Sequence, residues 1–392
     1  MRHFFYSVII LVIDCTTSFA QLADNKIVIG TKHQIHSDIL GEEREYWVSL
    51  PESYHPQAKY PIVYVLDGRF QFHSVASILR YLPKSAEIPE MIVVGILNTD
   101  RVRDLTPTNN LINSYGVEFA RDKTSGGADN FLNFIRTELS PRIEAEYSTA
   151  DYRMLIGHSH GGLFSLYSFI QASDFFNSFI SVDPSLYWDK EIVKERLIEN
   201  LKQNPDVKSR IYISSANNEG DDFLSEEAMV AAQNSFVDVL SSPEFRNLEV
   251  LKERFDDENH FTVPWISYSR GLLFVFDGFY IPGDKVRENP SLVIDHAQKV
   301  SEKFGYEILP HEGIVNFIGY DQLQKGNLVE SIKYFRMNTK NYPYSANTYD
   351  SLGDAYKAHN DRKKAIESYQ KSLELDPNSQ SSKRKLEELM QN

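Results

Sequence analysis

The run Gly157-His158-Ser159-His160-Gly161 matches the G-x-S-x-G pattern of a hydroxyl nucleophile. It follows the apolar stretch Arg153 to Ile156 and leads into Gly162-Leu163-Phe164, the setting of a strand, a sharp turn and a helix. Such a turn tolerates only small neighbours, hence Gly157 and Gly161. It lifts the hydroxyl above the sheet edge, with a helix N-terminus behind it that favours negative charge. A serine at its free pKa is a weak nucleophile, so a histidine base and an acid to hold it are required, in chain order Ser, acid, His. His260 lies in Asp256-Asp257-Glu258-Asn259-His260-Phe261 and alone among the 11 histidines follows a late strand and precedes a final long helix. The acid is expected after the strand Arg210 to Ser215, in Ala216-Asn217-Asn218-Glu219-Gly220-Asp221-Asp222. Glu219 is the first choice there, with Asp221 and Asp222 as alternatives.

Acyl transfer also needs two donors aimed at the developing oxyanion. One is the backbone N–H of His160, next to the nucleophile. The other is expected from Asp67-Gly68-Arg69, where Gly68 allows close backbone approach and Arg69 offers an amide. Two further loops should lie at the carboxyl ends of strands, where open α/β sheets bind ligands. Asn98 to Pro107 carries Arg101 and Arg103, candidates to receive an anionic substrate group. Asp183-Pro184-Ser185-Leu186-Tyr187-Trp188 supplies an aromatic pair, with Trp188 expected at the wall of an acyl pocket. Residues 109 to 128, with Gly116, Gly126 and Gly127, read equally as a lid or as a surface excursion. His158, His160 and His260 would make three zinc ligands, but an elbow points neighbouring side chains apart and no other metal-ligand spacing accompanies them. No metal and no cofactor is expected.

These residues require a scaffold that brings distant loops together. From residue 26 to about 285, short apolar runs alternate with helical patterns, which predicts an α/β unit with a mostly parallel central sheet flanked by helices. Expected strands are Lys26 to Gly30, Glu45 to Leu50, Ile62 to Leu66, Met91 to Leu97, Arg153 to Gly157, Phe179 to Val182, Arg210 to Ser215 and Leu248 to Phe255. The first two are expected as antiparallel edge strands. Leu132, Ile135, Leu139 and Ile143 recur at helical spacing after Asp129, a candidate N-cap. Residues 286–312 read as a linker with a helix from Ser291 to Phe304. Beyond it Gly319, Phe335 and Pro343 recur as Gly353, Tyr369 and Pro377 at tetratricopeptide spacing, so residues 313–392 form a small all-α repeat domain closed by a helix from Ser381 to Met390. Two repeats are fewer than a free-standing stack needs, so they should dock on the larger unit.

The 392 residues, 42% apolar and 24% charged, are enough for two or three domains. The formal charge of -14 excludes a nucleic-acid binder unless a basic patch is concentrated somewhere, and none is. Residues 1–20 read as a signal peptide: Arg2 and His3, an apolar run from Phe4 to Ile13, then Ser18-Phe19-Ala20. A periplasmic or extracellular protein follows, with no membrane span after cleavage. The single cysteine, Cys15, would leave with the leader, and the mature chain would have no disulfide and no thiol nucleophile.

Over roughly residues 25–285 the chain resembles the esterases of the siderophore trilactone hydrolase type, close to S-formylglutathione hydrolase and feruloyl esterases. The carriers are Tyr60-Pro61-Ile62-Val63-Tyr64-Val65-Leu66-Asp67-Gly68, Asn98 with Arg101-Val102-Arg103-Asp104-Leu105-Thr106-Pro107, the Ser159 elbow, Asp183-Pro184-Ser185 with Trp188, and Glu258-Asn259-His260. The resemblance implies the α/β-hydrolase fold and a serine esterase with Ser159 as nucleophile and His260 as base. It also implies that the triad acid varies between members. The reading is an exported serine hydrolase of carboxylic esters acting through an acyl-enzyme on a small-molecule ester, siderophore or other, with a protein partner for the repeats. Its rivals are an acyltransferase on the same fold and a catalytically silent repeat-containing binding protein.

Overall fold

A computed structural model describes residues 27–110, 123–218 and 226–391. Eight strands form one sheet: β1 (Thr31–Ser37), β2 (Glu42–Ser49), β3 (Tyr60–Val65), β4 (Ile92–Ile96), β5 (Thr149–His158), β6 (Ser178–Val182), β7 (Ser209–Ala216) and β8 (Leu248–Phe255). Their order is β1-β2-β4-β3-β5-β6-β7-β8. β1 pairs antiparallel with β2 and β2 with β4, while every other pairing is parallel. The interior strands β3, β4 and β6 are buried at every residue, as strands covered on both faces are, and the two serines of β6, Ser178 and Ser181, are buried with the apolar residues. At the edge, β1 is mostly exposed or half-buried.

The first strand departs from the sequence expectation. Residues 27–30 are not strand, and Ile27 is 94% exposed. Gly41, at φ 66°, closes the hairpin so that Thr31 faces Val48 and Ser37 faces Glu42. This register leaves residues 27–30 beyond the end of the ladder.

Helices cover both faces. On one lie α1 (Gly68–Tyr81) and, after α2 (Arg101–Leu105), α3 (Ala128–Phe134), α4 (Ser140–Glu146), α5 (His160–Gln171), α6 (Ile192–Gln203) and α7 (Glu226–Leu240), the helix α8 (Val263–Val275). Val63, Val65 and Ile156 pack there with Phe72, Val75, Tyr268 and Leu272. α3 to α7 lie on the other face, where Tyr64, Leu155 and Ile211 meet Phe131, Phe164, Leu197 and Phe236. Asp129 is not the N-cap of α3. Gly127 occupies that position, and the Asp129 carboxylate accepts instead from the Tyr167 hydroxyl.

After α9 (Gly283–Glu288), α10 (Leu292–Phe304) is not a free linker. Its Val300 and Phe304 join the α1/α8 core, with the Phe304 ring 5.3 Å from that of Phe276. The repeats follow as α11 (Glu312–Gln324), α12 (Leu328–Asn341), α13 (Ala346–Ala358), α14 (Arg362–Leu375) and a closing α15 (Gln380–Gln391). A Cβ at Gly319 would collide with the Phe335 ring, and one at Gly353 with Tyr369, so each helix pair closes around an aromatic seated on a glycine. Ile281, Val286 and Val293 pack with Val315, Ile318 and Tyr334, and Tyr344 stacks on His55 at 4.2 Å. The repeats therefore lean on the α/β unit. The expected leader, residues 1–20, lies outside the described residues.

Candidate functional site

β5 is the central strand, and the chain leaves it at His158 and enters α5 at His160. Ser159 bridges the two with φ 61° and ψ -120°, a conformation that costs a non-glycine residue on the order of 1–3 kcal/mol. Backbone bonds hold it there: the Ser159 N–H donates to Val182 O at 2.9 Å, and Ser159 O accepts from Leu163 N at 2.9 Å and Ser185 N at 3.2 Å. A Cβ on Gly157 would overlap the Gly161 carbonyl, so the turn cannot form with any other residue there. Positive φ recurs at Asp67 after β3 and Asp183 after β6, so three adjacent parallel strands end in strained residues at one corner.

His260 reaches that corner from the loop between β8 and α8. It is buried at 7% exposure, and its ring lies 4.4 Å from that of His158, the residue before Ser159. Its Nδ1 donates to Asp183 Oδ2 at 2.7 Å. Asp183, 1% exposed, also accepts from Asn218 Nδ2 at 3.0 Å, Gln233 Nε2 at 3.0 Å and the Ala216 N–H at 3.2 Å. Burial alone would raise its pKa. The hydrogen bonds from His260, Gln233 and Asn218 outweigh burial and hold the carboxyl below the ordinary Asp range. Glu219, Asp221 and Asp222 lie outside the described residues. The carboxylate that the described residues bring to His260 comes from the end of β6, one strand earlier than the sequence reading placed it. The signal available in sequence was an acid directly after a short buried strand, read there as the start of a pocket wall.

The Asp67-Gly68-Arg69 turn follows β3, the strand paired with β5, and lies beside the elbow, where a Cβ on Gly161 would come within 3.2 Å of the Asp67 carboxylate. His160 and Arg69 both stand in the first turn of a helix, α5 and α1, where the helix dipole is positive. Gly68 is buried against the backbone of Gly95 and Ile96, where a Cβ would have no room. Trp188 is buried, with its ring 5.4 Å from that of His160 and its Nε1 donating to Thr108 Oγ1 at 3.1 Å.

Arg101 and Arg103 do not stand ready for a substrate anion. Arg101 forks onto Asp67, Nε to Oδ1 at 2.7 Å and Nη2 to Oδ2 at 2.9 Å, and reaches the His158 carbonyl at 3.3 Å. Arg103 forks onto Glu42 at 2.6 and 3.1 Å and bonds Asp104 at 2.7 Å. Of these partners Asp104 stands next to Arg103 in sequence, whereas Asp67 and Glu42 lie 34 and 61 residues from the arginines they hold. Burial would raise Asp67, but the Arg101 charge and its hydrogen bonds, with that of Asn98, outweigh it and hold the carboxyl low. Among the described residues no group of three or more His, Cys, Asp or Glu is placed to hold a metal ion. No helix there is long and apolar enough to cross a membrane.

The family described as "Putative esterase" matches residues 37–267, and a tetratricopeptide repeat matches residues 346–379. The ferri-bacillibactin esterase BesA of Bacillus subtilis is 31% identical over 169 residues, 40% of this chain and 58% of BesA. The apo-salmochelin esterase of Escherichia coli is 32% identical over 150 residues, 36% of this chain and 46% of that enzyme. The chain thus spans about half the length of these curated relatives. An IroE-like serine hydrolase from Shewanella oneidensis superposes with a TM-score of 0.68 at 29% identity, covering 79% of this chain and 98% of that one.

Proposed function

Because the chain belongs to the esterase family that matches more than half of it, we propose that it is a serine hydrolase cleaving carboxylic esters through an acyl-enzyme. The observation that carries the reading is the 2.7 Å bond from His260 Nδ1 to Asp183 at the corner where Ser159 is held on its strained turn. With Nδ1 engaged, Nε2 is the nitrogen left to act as base.

In this reading Ser159 Oγ attacks the ester carbonyl carbon as His260 Nε2 takes its proton. The carbonyl oxygen becomes an oxyanion facing the amides of His160 and Arg69. Collapse breaks the bond to the alcohol, which leaves with the proton from His260. Water then attacks the acyl-enzyme, giving its proton to His260 and then to Ser159, and the acid departs. Asp183 remains ionised throughout, holding the tautomer and stabilising the imidazolium. Trp188 beside His160 serves as a wall for the acyl group.

Two relatives are esterases named for siderophores, which supports siderophore-type esters among the substrates. The neutralised Arg101 and Arg103 and the -14 formal charge favour uncharged esters over highly anionic ferric complexes. The leader-like first twenty residues support export, and the repeats are assigned to a protein partner rather than to chemistry. The test is covalent labelling by a fluorophosphonate, followed by a panel of chromogenic acyl esters run beside iron-free and ferric trilactones, with product analysis in added alcohol. Labelling of wild type and not of Ser159→Ala is expected; wild type that never labels would end the proposal.

A further inference from the structure

His158 is the elbow residue that the chemistry above does not use. It ends β5 with its ring buried at 7% exposure and turned onto His260, the ring planes inclined by 41°. Its Nε2 is buried with no hydrogen-bond partner among the described residues, an arrangement that ordinarily costs stability and calls for a reason. Four charged or titratable groups surround it: His260 from the loop before α8, Asp67 from the turn after β3, Asp183 from the turn after β6 and Arg101 from α2. Burial, then the neighbouring His260, push its pKa down to about 4. At neutral pH the ring is therefore an uncharged aromatic surface in contact with the imidazole that must become a cation.

Asp183 constrains His260 only along the ring plane, through Nδ1, and leaves tilt about that bond open. We propose that His158 is a positioning residue for the base: its neutral ring, packed on His260, fixes that tilt and offers a π-face to the imidazolium formed when Ser159 gives up its proton. A cation against an aromatic face is stabilised most where water is excluded, as it is here. The inference rests on the Ser159–His260 reading above.

The test compares His158→Phe, which keeps a flat neutral ring, with His158→Leu, which fills the space without one, in the full-length chain. The readouts are the phosphonylation rate of Ser159, kcat and KM on a chromogenic ester across pH, and thermal melting. The Phe protein should stay within about threefold of wild type, while the Leu protein should lose about tenfold in kcat, or about 1.4 kcal/mol, at little-changed KM. Its acid limb should move to lower pH, because the imidazolium is less stabilised. If the Leu protein melts early, His158→Met, whose unbranched chain adapts to irregular space, takes its place with the same expectation. A well-folded Leu or Met protein with wild-type rate and an unmoved acid limb overturns the proposal, as does a Phe protein that falls as far as Leu. Wild type that never labels overturns the hydrolase reading and this inference together, whereas labelling indifferent to residue 158 overturns this inference alone.

Discussion

Replacing Asp183 by Asn alters one atom and tests the whole arrangement. The carboxylate accepts four donors, with His260 Nδ1 and Asn218 Nδ2 on Oδ2, and Gln233 Nε2 and the Ala216 N–H on Oδ1. An amide offers one oxygen, so its NH2 must face two donors whichever way it turns. The Ala216 N–H cannot invert, and Gln233 cannot flip without losing the bond its Oε1 accepts from Ser215. The NH2 is therefore driven to the Oδ2 side, where His260 can accept by changing tautomer and Asn218 by turning its amide to present its buried, unpartnered Oδ1. His260 then carries its proton on Nε2 and is no longer a base. Loss of one member of a buried charge pair is worth about 3–5 kcal/mol, or about two to four decades in rate. The same change in a serine protease triad costs on the order of 10⁴ in kcat. Asp183→Asn should thus lower kcat on a chromogenic ester by about 10³ to 10⁴ with KM little changed, while Glu219→Gln stays near wild type. There is also a stability signature. A carboxyl held below its free value stabilises the fold in full above about pH 4 and loses that contribution as pH falls through the lower folded pKa. The Asp183→Asn protein should show a flatter acid limb in urea unfolding. An Asp183→Asn protein within about tenfold of wild type, beside a Glu219→Gln, Asp221→Asn or Asp222→Asn protein that collapses, would refute the reasoning and return the acid to the loop after β7.

Ser159→Gly should melt several degrees above Ser159→Ala, because glycine adopts φ 61° without the strain of about 1–3 kcal/mol; equal melting temperatures would show the turn to be unstrained. Arg101→Ala leaves the buried Asp67 charge without its partly exposed guanidinium, though still bonded by Asn98, and should cost about 1.5–3 kcal/mol in chemical denaturation. Adding Asp67→Asn should recover part of that loss, and a double variant no better than the single would contradict the pairing argument. A chain ending at residue 311 should fold and label with a fluorophosphonate. One ending at residue 285 removes Val300 and Phe304 from the core, about 1.5–3 kcal/mol each, and should be insoluble or unlabelled. Normal labelling of the shorter chain would make α10 dispensable.

What the sequence disclosed, and what it withheld, follows from how locally each feature is encoded. The elbow was legible because its requirements are consecutive: an apolar strand, Gly157 where a side chain would strike the Gly161 carbonyl, then a helix. The sheet was legible because its buried strands are short, mostly apolar runs. The repeats were legible because Gly319 and Gly353 each mark a close approach by an aromatic sixteen residues later. Asp183 was not, since an acid after β6 and an acid after β7 differ only in which strand ends beside the imidazole. Arg101 and Arg103 misled because an arginine near a cleft looks the same whether its carboxylate is a substrate's or, as here, that of Asp67 or Glu42. The edge strand shifted because its register is set by Gly41 and not by its own apolar residues, Ile27 and Val28.

The Ser159 turn and the Asp183 turn are joined by main-chain bonds, the Ser159 N–H to Val182 O and the Ser185 N–H to Ser159 O. Their separation is therefore a lattice constant of neighbouring strands, about 4.8 Å apart, and owes nothing to loop length. Only the imidazole arrives on a peptide segment of its own. Selection, natural or in the laboratory, can then lengthen, shorten or rewrite the loops around the crevice, changing which molecules gain entry while the spacing of hydroxyl and carboxylate stays the same. Libraries that diversify those loops should yield altered preferences far more often than dead proteins, and those that touch the 182–185 stretch the reverse.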